Sequence, residues 1–394
     1  MIKYAFIALL FFKLANSQNL KVLQEHGFEN LQELYSEDQY TLFYEDNLFR
    51  FPADGLFEVL RIIRPIENVK NTKIVLLSKG IPIVEMVFST NDFVNYKKGS
   101  LALEELIVNS SLQFTNEKIE SEKSKNPSYF KTDFNLRFTL DYTLGNFDNP
   151  IRQRVNFQPM IDIDLSQGVN LQGYYNYPEF NDLGYSEPQV GLLRLSNDFK
   201  ISKSSYLNTN FGFFTLNRIG ITTNYLRFLY EDKLRLNIHS GITRFGRLNK
   251  DFILFYDLNT DLKFDFYSEL TYRVNKYDMD LTFRYGSYIF GDIGYTAQVR
   301  RFSGQRFISL FYKKSNYGTM VGFDFSLPIP IRRYNRKLPV RAKLFDKFYL
   351  PYNYRSDSEV GLLYYQGENI VNNMTDFFPE IIRKGLLKAL KKGQ

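Results

Sequence analysis

The chain has no cysteine, no tryptophan and only two histidines in 394 residues. Without cysteine there are no disulfides and no thiolate metal sites. The same lack fits an exported bacterial protein. His26 and His239 stand far apart and read as ordinary surface or strand residues, not as metal ligands. Past the amino terminus no apolar run reaches the ~18 residues of a membrane-spanning helix. Nor is there a block of one charge: 50 basic and 43 acidic residues are interleaved and leave a net charge of +7. Such interleaving marks a solvated face and argues against nucleic acid as a partner. What the chain holds in quantity is 38 Phe and 29 Tyr. Aromatic residues favour strands, so the fold is expected to be mostly β.

The opening stretch "MIKYAFIALLFFKLANSQ" has Lys3, an apolar run from Tyr4 to Phe12 and the small-residue segment Ala15-Asn16-Ser17. Residues 1–17 read as a secretory signal peptide, cleaved after Ser17. The run is too short to cross ~30 Å of hydrocarbon. Residues 18–115 then read as a small α/β periplasmic domain. "QYTLFYEDNLFRF" predicts one strand, or two with a bend at Glu45-Asp46-Asn47. "PADGLFEVLRIIRP" predicts a helix, because Leu56, Val59, Leu60 and Ile63 recur on one face. Asp54 is placed to cap its first turn and Pro65 to stop it. "KIVLLSKGIPIVEMVFS" predicts a hairpin turning at Lys79-Gly80. Residues 116–127 form a polar linker or loop.

From 128 to 367 strand follows strand. In "DFNLRFTLDYTL" the residues Phe134, Leu136, Phe138 and Leu140 alternate with Asn135, Arg137, Thr139 and Asp141. "DMDLTFRYG" and "TMVGFDFSL" alternate likewise, and "DFILFYDLNTDLKF" reads as one strand with Phe252 and Phe264 on one face. Alternation alone does not say which face is wet, since a soluble sandwich and a membrane barrel share the period of two. The expected strands are about ten residues long, as outer-membrane strands are, and longer than the ~5–6 of soluble sheets. Short polar turns such as "NKYD" and "SNYG" suit sequential hairpins, and Tyr and Phe cluster near strand ends as in interfacial girdles. The expectation is an antiparallel up-and-down transmembrane β-barrel of roughly 12 strands or more, in the bacterial outer membrane. Outer-membrane lipid would be its first partner.

Residues 328–357 carry Pro328, Pro330, Pro339 and Pro351 and read as an irregular excursion or edge structure. "EVGLLYYQG" is expected to add a last strand. Residues 368–394 end in an amphipathic helix, with Phe378, Ile382, Leu386 and Leu390 on one side. Packing on the protein, lying on a membrane surface and serving as a recognised tail are all open to that helix.

The order of elements resembles the YjbH-type family of exopolysaccharide-associated outer-membrane proteins. The residues that carry the resemblance are "YEDNLFR", Tyr44 to Arg50, then "GLFEVLRII", Gly55 to Ile63, and "KGIPIVEMVFS", Lys79 to Ser89. Glu45, Asp46, Phe49 and Arg50 fill the family's strand motif, and Gly80 and Pro82 fill its turn. The family pattern favours Asn and Tyr where Asp46 and Phe49 stand. The resemblance implies a part in secretion or assembly of extracellular polysaccharide, with the polysaccharide and other secretion proteins as partners.

No catalytic, metal-binding or cofactor-binding residues are expected. His239 and Ser240 are adjacent, so on a strand they face opposite ways. Asp162 with Asp164, and Asp278 with Asp280, read as parts of a hydrated interior. No glycine-rich phosphate loop and no metal-spaced histidines occur. Glu45 and Arg50 have two readings: an ion pair fixing the strand bend, or contacts to glycan or a partner at the periplasmic mouth. Arg137, Asp141, Asp257, Asp261, Asp280, Arg284 and Asp324 are the candidate lumen wall, able to bind sugar hydroxyls or to pair across a plugged interior. The leading expectation is a non-enzymatic export factor. A general porin-like solute channel and a structural or adhesion β-protein are the alternatives.

Overall fold

A computed structural model describes residues 18–66, 68–120, 123–144, 151–181, 187–230, 233–256, 261–329, 333–334, 339–355 and 360–393. The amino-terminal unit opens with helix α1, residues 18–26. It continues with β1 (Glu29–Tyr35), β2 (Gln39–Glu45), α2 (Pro52–Ile62), β3 (Asn71–Ser78) and β4 (Ile81–Ser89). Helices α3 (Thr90–Lys97) and α4 (Leu103–Asn109) and strand β5 (Ser111–Phe114) complete it. The five strands form one sheet in sequence order. Only β2 and β3 pair parallel, and α2 supplies the crossover that a parallel pair needs. Leu56, Val59, Leu60 and Ile63 are buried against the sheet, as their spacing predicted. Pro52 sits in the first turn of α2, where its missing N–H costs nothing. The N-cap position is Phe51, with Asp54 inside the first turn, so the expected Asp54 cap is corrected. The β3–β4 hairpin turns through Lys79 (φ 51°) and Gly80 (φ 74°). Two successive positive φ values make a type I′ turn, whose twist matches that of the flanking strands.

The second sheet is much larger. Its first half holds β6 (Thr132–Leu144), β7 (Ile151–Ser166), β8 (Val169–Asn181), β9 (Gln189–Ser202), β10 (Ser205–Phe214) and β11 (Arg218–Leu229). There follow β12 (Leu234–Leu248), β13 (Leu254–Tyr256), β14 (Lys263–Val274), β15 (Met279–Ser287) and β16 (Ile293–Ser303). The last are β17 (Arg306–Ser315), β18 (Gly318–Pro328), β19 (Val340–Leu344) and β20 (Lys347–Arg355). The path runs from β19 through β6 to β12, then β14 to β18, and ends at β20, with β13 a spur on β12. Neighbours are antiparallel throughout except β19 on β6. The stretch 252–264 is therefore not one strand: β13 folds back on β12, and β14 starts afresh at Lys263. The proline-rich stretch contributes β19 and β20, the two ends of the path. They are consecutive in the chain, with only Phe345 and Asp346 between them. Phe345 N–H donates to Leu136 O at 3.1 Å, and Asp346 O accepts from Ile329 N–H at 3.0 Å. One continuous stretch thus pairs first with β6 and then with β18.

The polarity of this sheet is reversed. On β9, Arg194, Ser196 and Asp198 are buried while Leu193, Leu195 and Phe199 are exposed. On β14, Asp265, Glu269 and Thr271 are buried while Phe264, Phe266 and Leu270 are exposed. Phe134, Phe138, Ile221, Phe283 and Leu310 are exposed in the same way. The tight connections Gln167-Gly168, Lys203-Ser204 and Gly304-Gln305 lie at one end of the sheet. The amino-terminal unit sits at that end: Lys200 Nζ donates to Pro82 O at 2.7 Å and Thr115 O at 2.6 Å.

The chain then returns. Residues 360–369 are irregular and join no sheet, with Gly361 (φ 59°) and Gly367 (φ 88°) in the left-handed region, which corrects the strand expected at "EVGLLYYQG". They run down the buried polar side of the large sheet. Gly361 N–H donates to Asp292 at 2.8 Å, Tyr364 Oη to Asp265 at 3.0 Å, and Gln366 accepts from Asn224 at 2.9 Å. Past them come α5 (Ile370–Asn373), a 3-10 turn (Met374–Phe377) and α6 (Pro379–Gly393). Helix α6 packs on α2 and α4, burying Ile382 and Leu386 in the core of the amino-terminal unit. Phe114 of β5 stacks on Phe228 of β11 at 4.6 Å, and Phe378 meets Phe228 edge-on at 5.0 Å. Unit, sheet end and tail share one hydrophobic core.

Candidate functional site

Glu45 ends β2 with its carboxylate buried. It accepts from Lys79 N–H at 2.6 Å, Gly80 N–H at 2.9 Å and the Asn30 amide. Asn30 in turn donates to Ser128 Oγ at 2.9 Å. The two motif pieces "YEDNLFR" and "KGIP" therefore meet: the acid of one caps the turn of the other. Burial raises the Glu45 carboxyl above its usual range, against the pull of these donors. Asp46 accepts from Leu48 N–H and Phe49 N–H, each at 2.9 Å, and burial pushes it up to about 7. Arg50 reaches elsewhere, donating to Ile329 O and, at 3.0 Å, to Asp346 O. The ion pair expected across the bend thus gives way to two separate engagements. Glu45 fastens the β3–β4 turn, and Arg50 fastens the place where the ends of β18 and β19 meet β20.

Of the candidate wall residues, Arg137 packs its guanidinium over the Tyr365 ring, 5.3 Å from the centroid. Asp280 accepts from Arg273 at 2.9 Å, Arg284 pairs with Glu269, and Asp324 accepts from Gln298 at 3.3 Å. All four lie on the buried polar side. Asp261 is exposed ahead of β14 and is not part of that wall. Asp141 has its backbone in β6, opposite Arg154, and its side chain lies outside the described residues. Asp257 lies outside them altogether.

Two cavities gather these groups. The larger, about 480 Å³, lies between the amino-terminal unit and the large sheet and is lined by Glu45, Arg50 and Arg137 among others. The smaller, about 300 Å³, is lined by Arg284, Asp324, Glu269 and Arg300. Tyr349 of β20 lines both.

The densest polar cluster was not legible in the sequence. His239 Nε2 lies 2.6 Å from Asp265, and His239 Nδ1 lies 2.8 Å from Asn224. Arg194, almost wholly buried, donates to Asn210 at 2.8 Å and Gln172 at 3.2 Å, and also to Glu368 O. These residues come from six strands, β8 to β12 and β14, and from the returning tail. The available signal was their alternation with the apolar residues of each strand. His239 and Ser240 do face opposite ways, and Asp162 is spent on Asn170 at 2.6 Å and Gln172 at 2.8 Å.

Fold and site together define a predominantly β protein whose small α/β unit is seated on the end of a large, polar-lined antiparallel sheet. Residues 13–198 match the family model YjbH, described as exopolysaccharide biosynthesis protein YbjH. The match takes in the amino-terminal unit and the sheet from β6 into β9, and it bears out the resemblance read from the motifs. No curated protein and no solved structure matches the chain.

Proposed function

We propose that the protein is a non-enzymatic outer-membrane factor in the secretion or assembly of extracellular polysaccharide. The observation that carries the membrane reading is the reversed polarity of the large sheet. Exposing Phe199, Phe264, Phe283 and Leu310 to water while burying Arg194, Asp265 and Glu269 would be unfavourable in a soluble protein. Against acyl chains the same arrangement is the stable one. Closure of the sheet into a barrel is supported by the stretch Val340–Arg355, which pairs with β6 through β19 and with β18 through β20. In lipid such closure leaves few strand edges without partners. Tight turns at the end that carries the amino-terminal unit suit a periplasmic orientation, and the signal-like start suits export. The link to exopolysaccharide rests on the family match of residues 13–198.

The porin-like alternative is disfavoured by the tail residues 360–369, which occupy the polar interior. The absence of cysteine makes a direct test simple, since each introduced label is unique. Spin labels at Phe138 and Phe283 are expected to be accessible to oxygen and shielded from a water-soluble nickel chelate in reconstituted vesicles. Accessibility to the chelate at both sites would overturn the membrane reading. Loss of secreted glycan on gene deletion, with normal solute uptake, is the expected outcome for the export role.

A further inference from the structure

The cavity of about 480 Å³ falls in the size range of small-molecule sites, between two modules, where such sites concentrate. Its wall leaves unsatisfied atoms on Tyr44, Asn135 and Asp46, whose Oδ2 has no partner among the described residues. Tyr44 is fully buried, and among the described residues its hydroxyl has no hydrogen-bond partner; the same holds for Oδ1 of buried Asn135. A buried polar atom without a partner is costly and rare, and each calls for an explanation. Most charged groups of the same wall are, by contrast, engaged. Asp133 pairs with Arg341 and with Lys343 at 3.3 Å, Lys131 with Glu29 at 2.8 Å, Asp376 with Lys347 at 3.0 Å and Lys79 with Asp198 at 3.4 Å. What remains on offer is a phenol, an amide oxygen and one oxygen of the Asp46 carboxyl, beside the rings of Phe49, Tyr334 and Tyr349. Tyr349 faces Ser326 across the ladder, so it points to the polar side, yet it is 47% exposed there.

We propose that this cavity binds a short stretch of uncharged saccharide, with Tyr44 and Asn135 bonding sugar hydroxyls and the aromatic side chains packing on the C–H faces of the ring. An anionic ligand would meet the unpartnered oxygen of Asp46 and a wall whose cations, Arg137 apart, are already paired or bonded. A simple apolar ligand would leave both neutral polar groups unsatisfied. The site deepens the proposed function and rests on it for the polymeric nature of the natural ligand. The chemistry of the site stands on the wall itself.

The test is titration of the purified full chain in detergent with cellotriose, maltotriose and chitotriose, followed by calorimetry and saturation-transfer NMR, with trigalacturonate as the anionic comparator. At least one neutral trisaccharide is expected to bind, and trigalacturonate more weakly. Tyr44→Phe and Asn135→Leu are each expected to weaken that binding by about fivefold, the loss of one hydrogen bond. Tyr349→Ala, outside the core of the amino-terminal unit, is expected to weaken it as well and serves if either buried variant fails to fold. Binding of none of the three, preference for trigalacturonate, or binding indifferent to the folded variants would each overturn the site. If the labels at Phe138 and Phe283 report lipid while no saccharide binds, this inference falls and the membrane reading stands.

Discussion

At the scale of single residues, burial does more than charge to set behaviour. Glu33 of β1 accepts from Tyr40 Oη at 2.6 Å, and desolvation pushes its carboxyl from 4.5 to about 7. The folded unit therefore holds a proton that the unfolded chain releases. Stability from this group is complete below about 4.5 and is lost as pH rises to about 7. Glu33→Gln is expected to flatten that part of the pH profile, read as hydrogen-exchange protection in β1 and β2 between pH 5 and pH 8. An unchanged slope would show that Glu33 ionises freely. Residue identity was legible in advance where a local motif carried it. Glu45, Arg50 and the Lys79-Gly80 turn were all singled out. Their partners were not, because Arg50 bonds to carbonyls of Ile329 and Asp346, nearly three hundred residues away in the chain. Sequence spacing carries no information about such a pairing.

At the scale of elements, alternation located the strands well and the helices α2 and α6 equally so, since both periods follow from burying one face. Alternation failed at residues 252–264 and 360–369. In the first, β13 pairs back on β12 before β14 begins. In the second, an irregular segment bonds mostly to side chains of the wall and pairs with no neighbouring strand, and its apolar and aromatic composition is that of a strand. The amphipathic terminal helix had three open readings, and its contacts decide among them. Gly385 lies so close to α2 that a Cβ there would come within 2.5 Å of the Ala53 Cβ. Gly385→Ala is expected to loosen α6 by ~1–3 kcal/mol through overpacking. The exchange of both residues, Ala53→Gly with Gly385→Ala, is expected to restore it. Limited proteolysis should release the tail first in the single variant and not in the double. Equal cleavage of the single variant and the parent would mean that this contact does not hold the helix.

At the scale of the whole molecule, the polar side of the large sheet is covered by the chain's own tail. Tyr364, Gln366 and Glu368 bond to β14, β11 and β8 in turn, so the tail meets wall after wall on its way down. In planar bilayers the parent protein is expected to pass no steady current. A variant with residues 362–368 replaced by a glycine-serine stretch of equal length is expected to conduct. Steady current through the parent would restore the porin reading. No local pattern could have announced this cover, because its partners come together only once the strands have paired. The same feature bears on how the protein comes to be made. The tail leads into a helix that grips the amino-terminal unit, and its middle lies along the polar side of the sheet that the intervening strands build. Helix and sheet thus hold the two ends of one short segment, so the docking of α6 and the pairing of the strands are coupled. Without residues 360–393 the sheet would keep its pairings through Val340–Arg355 but lose the strap that ties its wall to the first unit.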